Sequence, residues 1–289
     1  MELLVVTDDT VPDPLANLLG ALPDLPWRVT RKKVSELLLE HGIRFSQEDA
    51  WLSFPETAPA LPPSTPVVLN RVIEISDNTR AALSGGTSHL SRGQVTYALT
   101  QVLSRYPRVI GTPGVCSPVG NLVPLVNQWR MLEARLPGLK TPRFKYGYGP
   151  EPIDPAPFTR AIWKSPFDFY TWKVSDAPPK EHWDSFVVDR PEGIPILASF
   201  LGDSTRLVPL APDVAIPDTV RQELHALTPV LREVFGAIMG ECLLFLDGQA
   251  LTFASFSHHL SASARQPHFQ ELMLEGLTSE LSRAALARA

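Results

Sequence analysis

The chain has 289 residues and a formal charge of −5, and its longest basic run is Arg31-Lys32-Lys33, which argues against nucleic acid or an anionic membrane as partner. A content of 44% hydrophobic and 20% charged residues excludes a disordered class, and the length exceeds one compact core, so two or three packed lobes are expected. No eighteen-residue apolar run occurs, and the first residues lack the basic region and longer apolar stretch of a signal peptide, so the expected compartment is the cytoplasm.

From the N-terminus, residues 2–7 form a short apolar run ending in Thr7-Asp8-Asp9 and predict a strand; residues 14–22 carry leucines at helical spacing. A second strand is predicted over 27–30, a helix over 34–41 closed by Gly42, and a third strand over 66–72. A helix over 93–105 leads through Tyr106-Pro107 to a strand over 108–111, and 119–136 is mostly helical with an interruption near Pro124. Strands alternating with helices imply a parallel sheet covered on its faces.

From residue 158 the pattern turns to β segments, at 160–164, 169–174, 185–189, 194–201 and 205–210, with a hairpin signal at Gly202-Asp203-Ser204. The strongest helix follows over 218–239, with Leu224, Leu227, Leu231 and Phe235 on one face and a kink expected at Pro229. Segments 241–246 and 250–256 flank Asp247-Gly248, a strong hairpin signal, and an amphipathic helix over 269–286 ends the chain. Among 29 prolines, the clusters at 55–66 and 150–157 predict inter-lobe loops. Cys116 and Cys242 are far apart and lack metal-ligand spacing, so both are expected to be buried small hydrophobes.

This order of elements resembles the ATP-grasp superfamily over nearly the whole chain, and most of all its branch of ribosomal-protein glutamate ligases and graspetide peptide ligases. The resemblance rests on Val67-Val68-Leu69-Asn70-Arg71, on Val109-Ile110-Gly111-Thr112-Pro113 followed by Asn127-Gln128 and Leu139-Lys140-Thr141-Pro142, and on the Asp247-Gly248 hairpin. It implies an α/β fold, α+β in its C-terminal half, with a pre-grasp domain over 1–115, a central subdomain over 116–185 and a C-terminal subdomain over 186–289 that would enclose a nucleotide. It further implies that Lys164 reaches the ATP phosphates, with Lys140 as a second cation, that the strand through Phe186, Val188 and Asp189 meets adenine, and that Glu241 holds Mg²⁺ with Ser255 and Ser257. In such a site a carboxylate attacks the γ-phosphoryl group, and catalysis rests on placement and on cations.

Several positions depart from the family pattern. Neutral Gln128 stands where the first ATP lysine is expected, with Arg130 and Lys140 as substitutes if they turn inward. After Lys164 the glycine-rich phosphate loop is replaced by Ser165-Pro166-Phe167-Asp168-Phe169-Tyr170, which has no glycine and includes a proline without an N–H donor. The second metal carboxylate is missing from Ala254-Ser255-Phe256-Ser257-His258-His259; adjacent histidines on a strand face opposite ways, which argues against a shared metal.

Ser84-Gly85-Gly86-Thr87-Ser88 lacks the lysine of a phosphate loop and is taken as a surface loop. The aromatics Trp163, Phe167, Phe169, Tyr170, Trp172 and Trp183 either line a ligand cleft or pack in the β-rich core.

Two functions follow as expectations. The matches imply a bacterial ATP- and Mg²⁺-dependent carboxylate–amine ligase that acts through an acyl phosphate on a peptide or small carboxylate substrate. The departures imply a catalytically degenerate homologue that binds a peptide or protein, as a homodimer or beside an active ligase. A differently shaped site around Arg71, Arg190 or His258 stays open, although no Ser-His-Asp or Cys-His arrangement supports it.

Overall fold

The computed structural model describes residues 1–22, 25–46, 51–56, 66–86, 90–114, 117–120, 122–149, 151, 153–174, 184–212 and 214–287. Cys116, Trp183 and residues 57–65 of the proline-rich stretch lie outside them. The chain divides into two compact units, one made of Met1–Leu122, Leu201–Ser204 and Pro267–Ala289, the other of Val123–Phe200 and Thr205–Gln266.

The first unit opens with β1 (Glu2–Thr7), whose Leu3, Leu4, Val5 and Val6 are all buried because the strand is flanked on both sides. There follow α1 (Pro14–Ala21), β2 (Arg28–Lys33), α2 (Val34–Glu40), the small hairpin β3 (Arg44–Ser46) and β4 (Trp51–Ser53), β5 (Val67–Asn70), α3 (Asp77–Ser84), α4 (Arg92–Leu103) and β6 (Val109–Ile110). The sheet order is β2-β1-β5-β6, and every pairing is parallel. Asp13 caps α1 by accepting from Ala16 N at 2.8 Å and takes a two-point bond from the guanidinium of Arg71, both partners being buried. Arg71 is thus an internal strut. Gly85, in the left-handed conformation, ends α3, so Ser84-Gly85-Gly86 serves as a helix terminus.

The second unit contains α5 (Leu125–Arg135), β7 (Phe144–Tyr148), β8 (Ala161–Trp163), β9 (Asp184–Asp189), β10 (Ile194–Leu201), β11 (Ser204–Pro209), α6 (Asp218–Phe235), β12 (Met239–Asp247) and β13 (Ala250–Ser257). Its strands form a three-stranded sheet, β7-β9-β8, and a four-stranded sheet, β11-β10-β12-β13. The β12–β13 hairpin turns at Gly248 as its Asp-Gly signal predicts. Three sequence expectations are corrected. Residues 169–174 form no strand, the described residues 119–120 and 122–124 are not helical because α5 starts after Pro124, and α6 stops at Gly236, whose left-handed backbone ends the helix three residues before β12.

The last helix, α7 (Phe269–Leu286), belongs with the first unit. Its Gly276 lies against Leu201, and its buried Glu280 accepts from Arg108 Nε at 3.0 Å.

Candidate functional site

The three residues that the resemblance assigns to Mg²⁺ meet on one face of the four-stranded sheet, and the others do not join them there. On β12 and β13, Glu241, Ser255 and Ser257 line one small cavity, whose other walls come from Phe169 and Tyr170 in the loop after β8 and from Leu197, Leu210, Leu243 and Ala262. Each already has a protein partner. Glu241, 2% exposed, accepts from Ala262 N at 3.1 Å, from Ser263 N at 2.7 Å and from the Ser263 hydroxyl. Ser255 Oγ donates to Phe169 O at 2.7 Å, and Ser257 Oγ accepts from Tyr170 OH at 2.7 Å and from His259 N at 3.1 Å. Burial, reinforced by the Glu241 charge, pushes the Tyr170 phenol up, so it stays a neutral donor. Among the described residues no group of three or more His, Cys, Asp or Glu is arranged to hold a metal. One carboxylate whose oxygens both accept protein donors does not fit Mg²⁺, which prefers free carboxylate and phosphate oxygens.

Lys164 emerges from the end of β8. Its Nζ donates to Thr171 O at 2.6 Å and lies 4.0 Å from the centre of the Trp172 ring. Burial lowers its pKa to about 8, against a smaller upward pull from Asp168. The segment 165–172 is held by a series of hydrogen bonds. Pro166 O accepts from Leu125 N at 2.8 Å, Asp168 caps the turn by accepting from Tyr170 N and Thr171 N, and Trp172 Nε1 donates to Phe169 O at 3.1 Å. Trp172 meets Phe245 edge to face, and Arg190 lies over the Phe245 ring while donating to Trp172 O. Phe169 and Trp172 are buried; Phe167 and Tyr170 keep exposed edges. The cavity remaining beside Glu241 is about 70 Å³.

Gln128 is 1% exposed. Its Nε2 donates to Phe256 O at 3.0 Å and to Val123 O at 2.9 Å, and its Oε1 accepts from Phe256 N at 2.8 Å. Next to it, Trp129 Nε1 donates to Ala254 O at 2.9 Å. Two side chains of α5 therefore satisfy the outer backbone edge of β13, a task that an ammonium, which has no acceptor, could not perform. Arg130 is exposed.

Lys140 and Asp189 fall elsewhere, in an open cleft of about 630 Å³ that also receives Arg143, Arg160, Arg190 and Asp247. Asp189 accepts from Arg143 Nε at 3.1 Å. Phe186 and Val188 are buried in β9, the middle strand of its sheet, where the backbone is paired on both sides and Phe186 stacks on Trp129. His258 packs edge-on against Phe256. The sequence reading missed Tyr170 and Trp172 as occupants of the Glu241 face. The available signal was a run of aromatics in the place where glycines were expected.

No family model matches the chain, and no curated protein matches it. Solved structures do. D-alanine–D-alanine ligase from Bacillus anthracis complexed with ATP aligns with a TM-score of 0.58 at 10% identity, over 99% of this chain and 97% of that one. The macrocyclase MdnC bound with precursor peptide MdnA, from Microcystis aeruginosa MRC, aligns with a TM-score of 0.58 at 13% identity, over 96% and 100%. The ATP-grasp ligase PsnB complexed with precursor peptide PsnA2 and AMPPNP aligns with a TM-score of 0.60 at 12% identity, over 96% and 97%. The chain has the fold of the ATP-grasp ligases. Two of these three structural neighbours, the macrocyclase MdnC and the ATP-grasp ligase PsnB, were solved with precursor peptides.

Proposed function

We propose that the chain is an ATP-grasp homologue that has lost acyl-phosphate chemistry and acts as a peptide- or protein-binding subunit. The carrying observation is the filling of the Glu241 face by residues 169–172, which leaves about 70 Å³ where ligand pockets run to roughly 300–1,000 Å³. Gln128 spent on a strand edge, Lys164 bonded to its own loop and Glu241 bonded to Ala262 and Ser263 all support it. Peptide binding is favoured by the neighbours MdnC and PsnB, which were solved with precursor peptides.

Titration calorimetry of ATP and ADP with and without Mg²⁺ tests the first half of this reading. No saturable heat is expected at millimolar nucleotide. Magnesium-dependent binding that disappears in Lys164→Ala/Glu241→Ala would sink it.

A second reading, a working carboxylate–amine ligase, draws support from the open cleft at Lys140 and Asp189 and from neighbours solved with ATP or AMPPNP. It requires residues 165–174 to leave the Glu241 face, and the same titration decides between the two.

A further inference from the structure

The first unit holds a cavity of its own, about 690 Å³, at the carboxyl ends of β5 and β6. In parallel α/β sheets, ligands characteristically sit beyond the carboxyl ends of the strands. Its walls are the chain after β5, at Ile73, Glu74 and Ile75, the first two turns of α4, and the chain after β6, at Pro113 and Pro118.

The walls are fixed from below by Asn70 at the end of β5, which the nucleotide reading left without a task. Asn70 is fully buried, and its Nδ2 donates to Gly111 O at 2.7 Å and Pro118 O at 2.6 Å while its Oδ1 accepts from Val72 N at 3.2 Å. One amide thus ties both loops together. Gly111 makes the tie possible, since a Cβ there would come within 2.6 Å of Asn70 O, and its φ of +82° is costly for other residues. The neighbouring turn closes with Gly114 N donating to Ser117 O at 2.9 Å. The pocket is therefore pre-shaped without drawing on the side chains that face into it.

Those side chains define what fits. Ile73, Pro113 and Pro118 offer aliphatic walls while Ile75 packs into the core behind them, and Tyr97, 58% exposed, stands edge to face with Phe54 at 5.9 Å as an aromatic wall at the mouth. Thr100 Oγ1 donates to Thr96 O, which leaves its lone pairs for an incoming N–H. Arg92 and Glu74 neutralise each other at 3.0 Å, so the rim carries no net charge and matches an uncharged ligand. We propose that this cavity is a docking pocket for a short, uncharged peptide segment with aliphatic or proline side chains. The proposal names the partner chemistry for the peptide-binding half of the function proposed above and rests on it; it does not depend on the state of the Glu241 face.

The test is an NMR titration of the isotope-labelled full chain with the capped tripeptide Ac-Leu-Pro-Leu-NH₂, and with Ac-Asp-Gly-Asp-NH₂ for comparison. Saturable shifts are expected at Ile73 and Tyr97 with the first peptide and none with the second. Thr96→Trp, which puts an indole into the cavity, should abolish them, and Tyr97→Ala, at an exposed position that folding tolerates, should weaken binding at least about tenfold. Absence of saturable shifts in the unmodified chain overturns the proposal, as does unchanged binding in Tyr97→Ala. The titration contains no nucleotide, so its failure leaves the lost-chemistry reading standing, whereas magnesium-dependent ATP binding would remove that reading and leave the pocket intact.

Discussion

At position 164 an ammonium lies over an indole face and donates to the carbonyl of Thr171. Burial outweighs these attractions, which is why its pKa falls from 10.5 to about 8. Between those two values the unfolded chain holds a proton that the folded chain has released, so this residue makes stability rise with pH across the window. Below pH 8 both states are charged and the folded state carries the full penalty. Lys164→Met should therefore be most stabilising, relative to the parent, below pH 8, with the advantage shrinking towards pH 10.5. Urea unfolding of both proteins across that range checks this, and a pH-independent difference would be evidence against the burial of the charge.

Among the elements, β13 has an outer edge paired by side chains of α5 where a neighbouring strand would otherwise be needed. Gln128→Leu keeps the volume but strands the Phe256 N–H and C=O in a buried place, at a cost of about 2 kcal/mol. The urea midpoint should fall with the slope unchanged; a midpoint within error of the parent would mean the clamp is ornamental. That Gln128 breaks the family pattern is legible in the sequence, but its partners lie 128 residues away and are not. The long elements were readable for a local reason. β5, α6, α7 and the β12–β13 hairpin carry a strong period or a strong turn, whereas β3 and β4 are three residues each and β7 has Gly147 inside it. Helix α3 was missed although Ser76 and Gly85 supply both of its caps, because its eight residues are mostly polar. The aromatics at 169–172 suggested a strand because such residues favour sheets; their rings and backbone instead find partners on β12, β13 and Arg190. Helix, strand and hairpin were thus largely visible, while the filling of the Glu241 face depends on contacts between distant residues.

For the molecule as a whole, the first unit is assembled from three separated stretches of chain, and Glu280 touches all of them. From α7 it accepts Arg108 of the N-terminal stretch and Arg283 of its own helix, and it lies so close to Gly202 that a Cβ there would come within 2.8 Å of its Oε1. Removing a charged hydrogen-bond partner of this kind costs about 1.5–3 kcal/mol. Glu280→Ala should lower the denaturation midpoint accordingly and speed amide hydrogen exchange in β6 and α7 more than in β12; uniform exchange across the molecule would contradict the assignment of α7 to the first unit.

A ribosome delivers this chain from the amino end at roughly 5–20 residues per second. Strands β1, β2, β5 and β6 emerge early, yet the helix that completes their unit follows the whole of the second unit in the chain. All of residues 123–266 must be made before α7 can bring Leu272, Met273, Leu277 and Leu281 to their buried places. The first unit to begin folding is thus the last to be finished, and throughout that interval the nascent protein presents an unfilled apolar seat of the kind that chaperones hold.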